Sequence, residues 1–68
     1  MIAVNGAPNA DVRPGSTVRT LLDVLGMDAA ARGVAVAVDA EVVPRAQWPS
    51  FVLAEDARVE VLNAVQGG

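Results

Sequence analysis

The sequence predicts an α+β fold in which one main helix packs on one face of a mixed sheet of four to five strands. Three observations predict it. Ile2 and Val4 alternate with smaller residues directly before Asn5-Gly6, the strongest short hairpin signal. Val18, Leu21, Leu22 and Leu25 fall at offsets of three, four and seven, a single apolar stripe at helical spacing. The β-branched run Val34-Ala35-Val36-Ala37-Val38 reads as a strand, and so does the alternation of Val59, Val61 and Val65 with Glu60, Leu62 and Ala64.

In chain order, Met1 to Val4 is the first strand, and Asn5-Gly6 turns it back. Ala10 to Arg13 is expected to be the returning strand with Val12 facing inward, stopped by Pro14-Gly15. Ser16 is the expected helix N-cap. The helix runs from Thr17 for two to three turns and ends at Gly26, a C′ glycine. Asp28 to Ala31 suggests one further helical turn, closed by Gly33. After the Val34 to Val38 strand, Asp39-Ala40 is a weaker turn than Asn-Gly, and Glu41-Val42-Val43 is a short strand that Pro44 confines to an edge or an end. Arg45 to Phe51 is an irregular connection with Trp48 partly buried at the rim, and Phe51 and Leu53 return it to the core. Met27 fills a gap at the helix end. Glu55-Asp56-Ala57 is the last turn, polar rather than a catalytic carboxylate pair. The final strand leads straight into the C-terminal residues. A strand, strand, helix, strand, short strand, strand order, with the helix on one sheet face, fits the ubiquitin-like β-grasp. Residues 1–64 are expected to form this domain and residues 65–68 a flexible C-terminal tail.

Composition narrows the functions open to such a domain. Sixty-eight residues allow one domain, which buries only about 60% of the surface its unfolded chain exposes, and hydrophobic residues at 53% suffice for a core. There is no cysteine and no histidine, so thiolate and imidazole metal sites and the usual catalytic base are missing. Ser16, Ser50, Thr17 and Thr20 have no evident activating partner. An enzyme in its own right is not expected, nor a bound cofactor. The net charge is −3 and the arginines at 13, 19, 32, 45 and 58 are scattered, so nucleic-acid binding has no footprint. The central apolar run, Val34 to Val38, is far shorter than the roughly 20 residues of a spanning helix, and no export signal opens the chain. A cytoplasmic protein, monomeric when free and bound to no membrane, is the expectation.

Gly67-Gly68 closes the chain with a slim carboxylate that has no side chain beside it. With a pKa of roughly 3.3 to 3.7, a C-terminal carboxylate is an anion at neutral pH and must be activated before it can accept a nucleophile. Transfer of AMP from ATP would give an acyl adenylate, and glycines suit the narrow channel an adenylating enzyme would need. Terminal glycine pairs also arise as frayed ends or cloning scars, so the residues ahead of them decide.

Those residues are Val4-Asn5-Gly6, Thr17-Val18 with Leu21-Leu22 and Leu25-Gly26, Val34-Ala35-Val36-Ala37-Val38, and Val43-Pro44-Arg45 with Trp48. The most specific stretch is the last, Arg58-Val59-Glu60-Val61 leading to Ala64-Val65-Gln66-Gly67-Gly68. Over nearly its whole length the chain resembles the ThiS family of sulfur carriers, whose tail typically reads Val-Gln-Gly-Gly. It departs from the family in two turns, with Asp39 where Asn is usual and Asp56-Ala57 where Gly-Asp is usual. Both departures lie in turns, and because Asp tolerates left-handed backbone better than most residues, Asp56 can replace a turn glycine without moving the last strand.

The resemblance implies a co-substrate. A ubiquitin-activating (E1-like) adenylyltransferase of the ThiF type, using its own ATP and Mg, would adenylate the Gly68 carboxylate. A sulfur donor such as a cysteine desulfurase would convert it to a thiocarboxylate, and a thiazole synthase of the ThiG type would take that sulfur for the thiazole ring of thiamine. Gly67 and Gln66 would give Gly68 its reach. Leu62 and Ala64, outward on the last strand, would be the shared docking patch; Glu60 would either complement a partner's arginine or belong to the solvated strand face. Other readings keep the carboxylate and change the acceptor, to molybdopterin precursor, tRNA 2-thiouridine or cysteine synthesis. A ubiquitin-like protein modifier needs the same ending, although a chain without lysine could not build polymers on itself. In a plain interaction module the glycines would be inert.

Overall fold

Asn5 and Gly6 take φ of 52° and 84°, the two left-handed positions that a type I′ turn requires. The turn folds β1 (Ala3–Val4) onto β2 (Ala7–Pro8), pairing Val4 with Ala7 and Ala3 with Pro8. The computed structural model describes residues 1–63. Because a two-residue turn starts pairing at once, the returning strand is Ala7–Pro8 and not Ala10 to Arg13, which form a turn. The Asn9 side chain makes that turn by accepting a hydrogen bond from the Asp11 N–H at 2.9 Å. Val12 nevertheless faces inward, as its apolar character requires.

Ser16 is not the helix cap. Its carbonyl accepts from the Leu53 N–H and Gly15 N–H donates to the Leu53 carbonyl, both at 2.8 Å, which holds the segment extended as far as a bridge between Thr17 and Val52. Thr17, with φ −98° and ψ 167°, takes the cap, and its Oγ1 accepts from the Thr20 N–H at 3.2 Å. α1 (Val18–Val24) buries Val18, Leu21 and Leu22 completely and packs Leu25 against the core. It stops as expected at Gly26, φ 74°. Gly26 N–H donates to the Asp23 carbonyl and Met27 N–H to the Leu22 carbonyl, the paired bonds of a Schellman ending.

The further helical turn expected at Asp28 to Ala31 does not form. Asp28 Oδ1 accepts from the Ala30 N–H at 2.9 Å, a local side-chain bond that competes with helix. The Arg45 guanidinium then donates to the Ala29 and Ala31 carbonyls, while its Cζ lies 4.5 Å from the centre of the Trp48 ring.

β3 (Val34–Val38) and β4 (Glu41–Val42) are joined by Asp39 and Ala40, both left-handed at φ 49° and 71°. This is a second two-residue hairpin. β4 ends one residue before the expected Val43, whose N–H still reaches the Val36 carbonyl at 2.8 Å before Pro44 diverts the chain into a 3₁₀ turn, Arg45–Gln47. Trp48 is a core residue, not a partly buried rim residue: it is 3% exposed, and its Nε1–H donates to the Val43 carbonyl at 2.9 Å. The 3₁₀ turn swings the ring inward, and that bond satisfies its one polar group. Phe51 and Leu53 anchor the return, as expected. The polar turn at Glu55-Asp56 places Asp56 at φ 63° and holds the Met1 α-ammonium between Glu55 Oε2 (2.6 Å) and Asp56 Oδ1 (2.9 Å).

β5 (Arg58–Asn63) completes a five-stranded sheet of order β2-β1-β5-β3-β4, parallel between β1 and β5 and otherwise antiparallel. Ile2, Val4, Val34, Val36, Val38, Val59 and Val61 face the helix side and are buried with Leu21, Leu22, Leu53 and Trp48. A mixed sheet under one helix is the predicted β-grasp.

Candidate functional site: the outer sheet face and the strand that leads to the carboxyl end

β5 is the central strand, and its period of two separates buried from exposed side chains. Val59 and Val61 point into the core, whereas Arg58, Glu60 and Leu62 point away from the helix. Leu62 is 67% exposed, which leaves it free for contact. Across the strands, Leu62 lies opposite Ala35, Glu60 opposite Ala37, and Ala37 in turn opposite Val42. Val42 is as open as Leu62.

Two alanines between an exposed Val and an exposed Leu leave a shallow depression of about 150 Å³, lined by Ala35, Ala37, Val42, Glu60 and Leu62. Small side chains there let another surface approach the strands closely. Toward the start of β5 the same face becomes polar, and a broader open hollow of about 750 Å³ runs past Arg58 and Glu60 to the hairpin turns at Gly6 and Asp39-Ala40. Glu60 therefore borders an apolar half and a charged half of one face. That position suits recognition of a cation at the rim of an apolar contact.

Both turns hold β5. Asp39 Oδ1 accepts from the Arg58 N–H at 3.0 Å, and Asn5 meets Val61 through its side-chain amide at 2.8 and 3.3 Å. Sequence reasoning selected Leu62 and Glu60 but missed Val42, Ala35 and Ala37 beside them and the part played by Asn5. The alternation of the Val34 to Val38 run marked its alanines as one face. Only the β3–β5 register shows that this face adjoins Leu62.

Ala64, Gln66, Gly67 and Gly68, the other predicted site residues, lie outside the described residues, as does the proposed division into residues 1–64 and 65–68. Among the described residues, no cluster of three or more His, Cys, Asp or Glu could hold a metal ion, and no helix is long and apolar enough to cross a membrane. The strongest electrostatic perturbation is at the Met1 α-ammonium. The hydrogen bonds it donates to Asp56 and then to Glu55 raise it from 8.0 to about 10.

The family model of the ThiS family matches residues 1–68. Among solved structures, the chain is similar to the thiamine biosynthesis protein (ThiS) from Geobacter metallireducens, with a TM-score of 0.76 and 29% identity over 98% of this chain and 97% of that one. No curated protein matches the chain.

Proposed function

The chain belongs to the ThiS family, and from that premise we propose that it is a sulfur carrier of thiamine biosynthesis whose Gly68 carboxylate is the reacting group. The observation that carries the reading is the family match through the last residue, Gly68, in a chain whose central strand leads directly to Val65-Gln66-Gly67-Gly68. The chain has no cysteine and no histidine; the reading assigns the chemistry to partner enzymes and makes the chain their co-substrate.

A ThiF-type adenylyltransferase binds ATP and Mg and joins the carboxylate to AMP, expelling pyrophosphate. Attack by a donor's persulfide sulfur then expels AMP, and thiol reduction of the resulting acyl disulfide frees the thiocarboxylate. A ThiG-type thiazole synthase consumes the sulfur and returns the carboxylate. The chain contributes delivery: a rigid β-grasp body, and a docking face centred on Leu62 with Glu60 at its charged border. The same reading counts Ala64 among the docking residues and gives Gln66 and Gly67 the task of carrying Gly68 into two different active sites. With no cysteine in the chain, no internal thiol competes for the adenylate.

The test is to incubate the chain with a cognate adenylyltransferase, Mg-ATP and a sulfur donor and to measure intact mass. The expected product has one oxygen of Gly68 replaced by sulfur, and deletion of Gly68 abolishes it. Unchanged mass with an enzyme active on another carrier would refute the reading. Adducts on lysines of other proteins would favour a modifier instead.

A further inference from the structure

Asn5 sits where β1 leaves the sheet. Backbone pairing between β1 and β5 covers Ala3 with Arg58 and Val4 with Val59, and the Asn5 N–H donates to the Val59 carbonyl at 2.8 Å. In a strand, the N–H and C=O of every second residue point the same way, so Val61 is next in need of partners on this side. β1 has already turned into its hairpin and offers no backbone there. The Asn5 side chain takes its place: Oδ1 accepts from the Val61 N–H at 2.8 Å and Nδ2 donates to the Val61 carbonyl at 3.3 Å. One amide thus imitates one residue of a strand, in a part-buried setting where unmet backbone groups are penalised. On the opposite side, β3 holds β5 as far as Asn63. Among the described residues, the Asn5 amide is the last hold on the β1 side of β5.

We propose that Asn5 is a positioning residue: by gripping both backbone groups of Val61, its amide fixes the course of Leu62 and Asn63, the last residues of β5, and with them the base from which the carboxyl end is presented to a partner. The amide contributes this in addition to the positive φ that the turn requires of residue 5. The inference rests on the carrier reading only for its effect on catalysis by the partner.

Asn5→Gly separates the two roles, since glycine keeps φ near 52° at no steric cost and removes the amide. Asn5→Asp keeps the acceptor for the Val61 N–H and loses the donor to its carbonyl. By NMR, the Val61 amide proton in Asn5→Gly is expected to exchange on the order of tenfold faster, with Leu21 and Val36 unchanged. Residual dipolar couplings of Leu62 and Asn63 are expected to shift in both variants. With a cognate adenylyltransferase, kcat falls on the order of tenfold while KM stays within about twofold, because the docking face is intact and only the approach of the carboxylate is disturbed. Wild-type exchange and couplings in Asn5→Gly would overturn the proposal, as would a loss confined to KM. If Asn5→Gly does not fold, Asn5→Asp decides by the same couplings and kcat. Should even the wild-type chain fail to be adenylated, the carrier reading falls, while exchange and couplings still judge the anchoring.

Discussion

Asp39 and Arg58 exchange two hydrogen bonds: the Asp39 N–H donates to the Arg58 carbonyl at 2.8 Å, and Asp39 Oδ1 accepts from the Arg58 N–H at 3.0 Å. A left-handed turn residue thereby ties down the start of β5, as Asn5 ties down its later half. The carboxylate charge is not needed for this, because an amide oxygen accepts equally well. Asp39→Asn is therefore expected to leave stability within about 0.5 kcal/mol. Asp39→Ala loses the acceptor and leaves the Cβ at φ 49° without the side-chain bond that compensates for it, and should cost about 1–3 kcal/mol. Urea denaturation midpoints of the two variants check the pair.

Ala40 occupies the second left-handed position of the same hairpin, at φ 71°, where glycine is the residue of choice. Relief of its backbone strain outweighs the extra freedom glycine gives the unfolded chain. Ala40→Gly should raise stability by about 0.5–1 kcal/mol, and Ala40→Val should lower it. Thermal melting of both, followed by circular dichroism, tests the sign.

Trp48 spends its one donor on the carbonyl of buried Val43, the residue that follows β4. In Trp48→Phe the ring's bulk is largely kept but the Val43 carbonyl loses its partner, at an expected cost of about 1–3 kcal/mol. Trp48→Ala adds a cavity and should cost about 3–5 kcal/mol. Urea denaturation followed by circular dichroism measures both.

Leu62 is exposed and holds nothing else in place, so Leu62→Glu should change stability by no more than about 0.5 kcal/mol. If the outer face docks the adenylyltransferase, the same change raises KM by on the order of tenfold or more. Steady-state adenylation kinetics beside a denaturation curve separate the two effects. An unaltered KM would remove Leu62 from the interface.

The chain contains no lysine, tyrosine, cysteine or histidine. Between neutral pH and the titration of arginine, the α-ammonium of Met1 is thus the one group that changes charge. Folding raises it from 8.0 to about 10, through hydrogen bonds to Asp56 and Glu55. A cation favoured in the folded state contributes stability that is fully present below pH 8 and lost as pH rises through about 10. The melting temperature should fall across that window in the free chain and stay flat after N-terminal acetylation. All three groups are exposed, so the drop should be small.

The sequence made most of this architecture legible, because Asn5-Gly6, Gly26 and the valine alternations each carry a local physical requirement. It failed where two neighbouring residues could serve one purpose. Ser16 and Thr17 are both capable caps, and only the distant pairing with Val52 and Leu53 selects Thr17. Asp28 looked like a helix start, yet its side chain closed a turn and Arg45 pinned the loop from 14 and 16 residues away. Asp39-Ala40 looked weak as a turn because alanine rarely accepts a left-handed backbone. Its strain is offset by the bonds to Arg58, a tertiary effect with no local signature. On the outer sheet face, the exposure of Leu62 and Glu60 was visible from strand periodicity, but their neighbours depended on register, and so did the use of an asparagine side chain as strand backbone.

The position of β5 between β1 and β3 also has a mechanical meaning. Its hydrogen bonds run across the strand, with β3 on one flank and β1 with Asn5 on the other. A pull on the carboxyl end directed along the strand would load these bonds together, in shear. At a sheet edge, a pull away from the sheet would peel them one at a time. Under the proposed carrier reading, a partner enzyme that draws the carboxyl end into its active site pulls against bonds that share the load, as a rope holds best when its load is shared along its whole splice.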